Sequence, residues 1–416
     1  MFASYGAVLR TPRAARVFAA ALVGRLSFGT VGLSLTLTFV QATGSYARAG
    51  AMVALFGGAS CLLTPWRAGL VDRYGTRAVL RPMAVLYGIG LVGLAGAAHL
   101  ASGWAAGGVA IAAGATLPPL GPVMRALWAE LVPDRDLLQR AYSLDTVAEQ
   151  IIFTLGPLLA GLFAVTASAS LGLLVSAGLV IAGTFGLTAK RNVIRRPAEA
   201  VDAVELARGD LEAAEVSGAR RVFARLWPTL LAMAALGAAE SGLALLIVAF
   251  AGAGGAAWTE AAMSVAGVVG GLVYGAVTWR MSPGTRLPAL AVPLALALAA
   301  AGLAPDVPVL IAVVSVFGLL IAPLLTTGYL VGEAAAPPQR RTAVASWVNT
   351  AFNAGSSLGS AGVGALTALL PLPLCFALAA LPVLLASGMV LAGTVRAGRR
   401  VRAQELALAA EDALAL

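Results

Sequence analysis

Charge is scarce in this sequence: Asp, Glu, Lys and Arg make up 11% of its 416 residues. Soluble globular chains carry roughly 25%, so a water-soluble fold is excluded. Histidine is scarcer still. The single His99 falls in a stretch joining two apolar runs, next to Trp104. Without a second histidine there is no Cys/His metal spacing and no Ser/His/Asp set. No glycine-rich phosphate-cradling loop ends in Lys. The expected enzyme, cofactor and metal sites are therefore none. The two cysteines, Cys61 and Cys375, lie toward opposite ends of their runs and are expected to stay free. Aromatics are only 6%, few for stacking on sugars or nucleic acid.

Hydrophobic residues, by contrast, make up 60% of the chain, with a mean hydropathy of +0.90. A polytopic membrane protein fits. About twelve spans of about 20 residues would use roughly 240 positions. The 48 glycines, with abundant alanine, suit helices that approach closely where no hydrophobic effect drives them together. The net charge of +9 does not indicate nucleic acid, because basic residues alternate between connections instead of forming a patch. Arg10, Arg13, Arg16, Arg67, Arg73, Arg77, Arg81, Arg125, Arg135, Arg140, Lys190, Arg191, Arg195 and Arg196 all fall on one set, as do Arg220, Arg221, Arg225, Arg280, Arg286, Arg340, Arg341, Arg396, Arg399, Arg400 and Arg402, and Arg48 alone on the other. The positive-inside rule then places both termini in the cytoplasm with an even number of spans. The first apolar run reaches about Val40, too long for a signal peptide core, and reads as a retained span. The expected organisation is residues 1–189 as one six-helix bundle, 190–225 as a cytoplasmic linker, 226–396 as a second bundle and 397–416 as a cytoplasmic tail.

Between the second and third runs lies R-A-G-L-V-D-R-Y-G-T-R-A-V-L, Arg67 to Leu80. A polar knot this short between apolar segments must turn tightly at the membrane surface, closed by Gly75. The order of Gly69, Leu70, Asp72, Arg73, Gly75 and Arg77 resembles the signature loop of the major facilitator superfamily. Ala68 stands where that family usually has its first glycine. The resemblance implies an all-α membrane protein of 12 transmembrane helices in two six-helix bundles, related by a pseudo-twofold axis. It also implies a secondary transporter in which the loop's Asp72 pairs with basic groups. Arg73, Arg77 and Arg125 are expected to share that inner-face latch, with Glu130, Glu333 and Arg340 making contacts elsewhere on it.

Costly charges mark the interior. Arg25 in span one costs roughly 2.5–3.5 kcal/mol at a helix centre, so it should face a cavity or a carboxylate. Thr30 and Ser34 lie on the same polar stripe and are cavity candidates. Span four holds Pro118, Pro119 and Pro122 and should bend. In span five, Asp145 and Glu149 share one helix face. Gly156-Pro157-Leu158-Leu159-Ala160-Gly161 follows, resembling the G-P-x-x-G-G element of drug:proton antiporters in the same superfamily. Its Gly156, Pro157 and Gly161 should kink the span against the opposite half. Ala160 replaces one glycine, and Ile152 replaces an upstream one. Span seven buries Glu240. Span eleven offers Trp347, Asn349 and Asn353 on a polar face and Gly355 and Gly359 on a small one.

The halves echo each other: Glu130-x-x-Pro133 against Glu333-x-x-x-Pro337, and Asp145/Glu149 against Asn349/Asn353. The ionisable pair sits in the first half alone. Glu149 and Glu240 are the expected proton-coupling carboxylates, with Arg25 and Asp145 as partners, since an acid deep in a membrane protein can load and release a proton. The expected function is proton-coupled efflux of small amphipathic compounds, drugs or natural products, by alternating access. The alternative is a proton-coupled or facilitated importer of a small polar metabolite. Partners are then substrate, protons and lipid bilayer, not nucleic acid, and the fold works as a monomer. The Arg-rich, Lys-poor composition suggests a bacterial plasma membrane.

Overall fold

A computed structural model describes residues 2–100, 103–132, 134–189 and 208–414. The basic and acidic part of the linker before residue 208, and Pro133 of the repeat, lie outside the described residues. Among those described, all regular structure is helical. A short α1 (Phe2–Arg10) leads into α2 (Ala14–Thr43), α3 (Tyr46–Tyr74) and α4 (Thr76–Leu100). Then come α5 (Gly103–Thr116), α6 (Leu120–Leu131), α7 (Arg135–Thr166) and α8 (Ala169–Leu187). The remainder is α9 (Arg208–Ala276), α10 (Pro283–Ala301), α11 (Val307–Ala335), α12 (Arg341–Thr367) and α13 (Leu372–Leu414). Eleven segments among the described residues are long and apolar enough to cross a membrane. Two of these, Leu226–Gly252 and Gly255–Ala276, lie within α9 and part at Gly252, where φ is 64°. The 27-residue α12 is long enough, but its Ser, Thr and Asn residues lower its hydropathy. With α12 the layout is that of a 12-helix membrane protein.

Two compact units emerge. The first comprises Met1–Phe223, Gly267–Val277 and Gly332–Thr350; the second comprises Ala224–Ala266, Thr278–Val331 and Ala351–Leu416. In the first, α2 packs along α8 and α7, and α4 along α8 and α5. Small residues set these approaches. The backbone of Gly24 lies where a Cβ on Gly183 would point, and Gly156 faces the backbone of Gly29. In the second, α10 packs on α13, and the small face of α12, Gly355 and Gly359, lies on Ala234 and Ala238 of α9.

Three expectations change. The stretch from Arg67 to Tyr74 is not a loop: α3 continues through it, and Gly75 alone interrupts the chain before α4 begins. With φ 90° and ψ 151°, Gly75 adopts a conformation closed to other residues, so one position does the work of a whole turn. Span four is not merely bent. Pro118 and Pro119 divide it into α5 and α6, as two consecutive residues without N–H groups must. Finally, Gly156 packs against Gly29 of its own unit. Pro157 lies exposed on an unbroken α7, and nothing crowds Gly161.

Candidate functional site

The division of span four exposes two helix ends inside the bundle, and buried charge meets both. At the end of α5, Arg67 donates to the carbonyl of Gly114 at 2.7 Å. It also donates to Ser60 O at 2.6 Å and Thr64 Oγ1 at 2.7 Å. A cation there complements the negative end of the helix dipole. At the start of α6, Gly121 adjoins the guanidinium of Arg125 and the carboxylate of Glu149.

Those two side chains belong to a closed ring of four charges. Arg25 of α2 reaches Asp145 Oδ1 at 2.6 Å and Glu149 Oε1 at 2.9 Å. Arg125 of α6 meets Asp145 Oδ2 at 3.1 Å and pairs with the second oxygen of Glu149. Both acids stand on one face of α7, one turn apart. Each arginine thus touches both acids. The Arg125 carbonyl also accepts from Tyr142 at 3.1 Å. The ring is formally neutral, which is what allows four charges to be withdrawn from water. Its corners differ in access. The side chains of Arg25, Arg125 and Asp145 are 3%, 1% and 0% exposed, and that of Glu149 is 23%. Glu149 is the most exposed corner of the four.

A second polar cluster surrounds the Gly75 turn. Asp72 accepts the backbone N–H of Ala343 at 2.8 Å, placing a carboxylate at the positive end of α12. Arg341 pairs with Glu333 at 3.2 Å, and Glu130 lies within electrostatic reach of Arg341 and Asp72. Arg73 and Arg77 are exposed, with Arg73 over the ring of Tyr74. In the same unit, Tyr5 donates to Leu272 O at 2.6 Å. Gln139 donates to Tyr274 O at 3.2 Å and Val277 O at 3.1 Å, and Ser143 to Gly271 O. These donors meet carbonyls of the last two turns of α9 and of Val277 just after it.

A family model described as Major Facilitator Superfamily matches residues 17–360. The chain belongs to that superfamily. Its members are transporters rather than enzymes, and this chain is a multi-pass membrane transporter. No curated protein sequence matches the chain significantly. Among solved structures it is similar to a bacterial homologue of the iron transporter ferroportin in an outward-facing state: 13% identity, TM-score 0.73, 92% of this chain and 99% of that one covered. It is similar to the E. coli fucose:proton symporter FucP at 13% identity and TM-score 0.68, covering 90% and 98%. The human organic anion transporter MFSD10 (TETRAN) follows at 16% and 0.67, again covering 90% and 98%. At such identities the likeness shows the facilitator fold alone.

Within this facilitator, the sequence grouped Glu149, Glu240, Arg25 and Asp145, and the structure brings Arg25, Asp145 and Glu149 together. It assigned Arg125 to the Asp72 latch, yet Arg125 lies in the ring instead, because the break in span four turns α6 toward α7. Asp72 meets the N-terminus of α12, and Arg340, expected at the same latch, lies within electrostatic reach of it. Thr30 and Ser34 do not line open space: Thr30 bonds Ser176 at 2.6 Å, and Ser34 is buried against Gly172. Trp347 and Asn353 are exposed and Asn349 half-buried. Glu240 is half-buried in the second unit, within electrostatic reach of Glu260. Glu260 and Tyr5 carried no assignment from sequence, whereas Arg67, expected on an inner connection, is fully buried within α3. The available signal for Glu260 was a second acid in an otherwise apolar run.

Proposed function

We propose that the protein is a proton-coupled secondary transporter that exports small amphipathic compounds, with Glu149 as its proton-loading carboxylate. The observation that carries this reading is the uneven access of the ring: three charges are sealed and the fourth is not. Loading a proton on Glu149 removes one charge from a balanced set of four, so the set must rearrange or recruit a counter-charge. That is how a proton can bias one conformation over another. The two halves, residues 1–189 and 226–396, would exchange access to the substrate in turn. Asp72, Arg73, Gly69, Gly75 and Arg77 serve the inner gate, and Glu240 is a second proton-binding candidate with Glu260. The protein works as a monomer in a bacterial plasma membrane with both termini in the cytoplasm.

The export direction draws on the Gly156-Pro157 element and its resemblance to drug:proton antiporters. A second reading, proton symport of a polar metabolite, is favoured by the ring itself, which gains positive charge on protonation. The test is transport in proteoliposomes under imposed pH gradients of either sign. Coupling predicts that the gradient drives wild-type flux and does not drive Glu149→Gln. Flux of the wild type that ignores the gradient sinks the reading. Antiport and symport then differ in the sign of the gradient that accelerates uptake.

A further inference from the structure

We propose that Arg25 and Arg125 form the recognition site for an organic anion, whose carboxylate takes the place now held by Glu149. The inference rests on proton loading at Glu149 and takes the second reading, symport, since proton and solute would be held together; it adds the chemical class of the substrate.

Charge balance leads to it. Two guanidiniums and two carboxylates sum to zero. A neutral Glu149 leaves Arg25 and Arg125 facing Asp145 alone, with one positive charge in excess. The three remaining groups are at most 3% exposed, where an uncompensated charge costs several kcal/mol. An incoming anion restores neutrality. A cation would raise the imbalance, and a neutral amphiphile would leave it.

Geometry supports the same class. The two guanidiniums each present a nitrogen to one oxygen of the Glu149 carboxylate. That is a two-point cradle fitted to a planar oxyanion. Gly121 stands beside it without a side chain, 3.8 Å from Glu149 Oε1 at the nearest approach of its Cβ position. It belongs to the first turn of α6, whose N-terminal dipole adds to the positive potential. Access is at the Glu149 corner alone among the four.

The other groups facing Glu149 do not offset this. From α2 comes Arg25 and from α6 Arg125, with Asp145 one turn away on α7 itself. The sequence of α8, Ala169–Leu187, contains no titratable residue. In α1, Tyr5 is engaged with Leu272. Protonation and anion binding are therefore linked: each favours the other at one site.

The test uses the full chain in phosphatidylcholine nanodiscs, reading thermal stability against added solute. Benzoate and 4-butylbenzoate are the probes, with benzamide and 4-butylbenzamide as uncharged matches at equal ionic strength. The expected result is stabilisation of the wild type by the acids, stronger at pH 5.5 than at pH 7.5. Glu149→Gln should bind the acids about tenfold more tightly than wild type at pH 7.5, with little dependence on pH, and Glu149→Ala should do the same. Adding Arg125→Gln to Glu149→Gln leaves Arg25 and Asp145 balanced and should abolish the effect. Equal response to acid and amide overturns the proposal. So does an effect that survives loss of Arg125, or no acid response in the wild type and both Glu149 variants. The same stabilisation from phosphatidylglycerol without solute would assign the cradle to lipid head groups and also overturn it. Carboxylate-specific binding beside wild-type flux that ignores the pH gradient supports the anion site and removes the coupling reading.

Discussion

Asp72 and Ala343 lie 271 residues apart in sequence and are joined by a hydrogen bond of 2.8 Å, carboxylate to backbone N–H. The bond places a negative charge on the N-terminal turn of α12. Replacing Asp72 with Asn keeps an acceptor and removes the charge. The expected loss is about 0.3–1 kcal/mol, rising to ~2 kcal/mol where the site is partly buried. Asp72→Ala should cost more because it also leaves the amide unbonded. Turnover and melting temperature should both fall in the order wild type, Asn, Ala. Normal turnover in Asp72→Asn at normal expression would remove the charge from the gate.

Asp145 and Glu149 share a helix face and a pair of arginines, yet their variants should behave differently. Asp145 is sealed, so Asp145→Asn strands buried guanidinium charge and should cost about 3–5 kcal/mol. Poor expression and a lowered melting temperature are the expected readings. Glu149→Gln sits at the accessible corner and should fold, while losing its response to a pH gradient. Equal damage to folding from both would mean that the ring is only a structural clasp.

Gly75 and Gly156 test two different demands on glycine. Gly75→Ala places a side chain at φ 90°, ψ 151°, costing about 1–3 kcal/mol. Gly156→Leu drives a side chain into the backbone of Gly29 and should cost about 1–3 kcal/mol or more from overpacking. Denaturation midpoints in detergent check both. A neutral Gly156→Leu would contradict the contact between α2 and α7.

Tyr5 carries a pH dependence outside the membrane spans. Burial disfavours its phenolate and moves its pKa upward, with Ser143 and Arg140 opposing. A raised pKa means that the folded state prefers the neutral phenol. Its contribution is full below about pH 10, the ordinary tyrosine value, and declines as pH rises through the folded value. The stability gap between wild type and Tyr5→Phe should be about 0.5–1.5 kcal/mol at pH 8 and narrow at pH 11. A gap that widens with pH would show that the bond to Leu272 is absent.

How much of this was legible from sequence depended on distance along the chain. The pairing of Asp145 with Glu149 could be read directly, because helical periodicity fixes which residues share a face. The superfamily could be read from the short segment around Gly75. Arg125 could not be placed, since no local pattern tells which helix a given face will meet. The extent of α3 was misjudged because its polar residues suggested a loop, whereas backbone hydrogen bonds continue through Arg73 regardless of side-chain polarity. Ser34 looked like a lining residue; Gly172, far along the chain, supplied the contact that buried it. The two prolines at 118 and 119 announced a distortion, but not that Arg67 would meet one of the resulting ends.

The gap between α5 and α6 divides the fourth crossing into two rods, each with its own hydrogen-bonded backbone. An α-helix turns through about 100° for each residue, so a modest swivel of Leu120–Leu131 would swing Arg125 clear of both acids at once. Arg25, borne by an uninterrupted helix, would stay where it is. The pivot would thus release one clamp while keeping the other, allowing grip on a bound solute to be loosened without unravelling the wall that holds it.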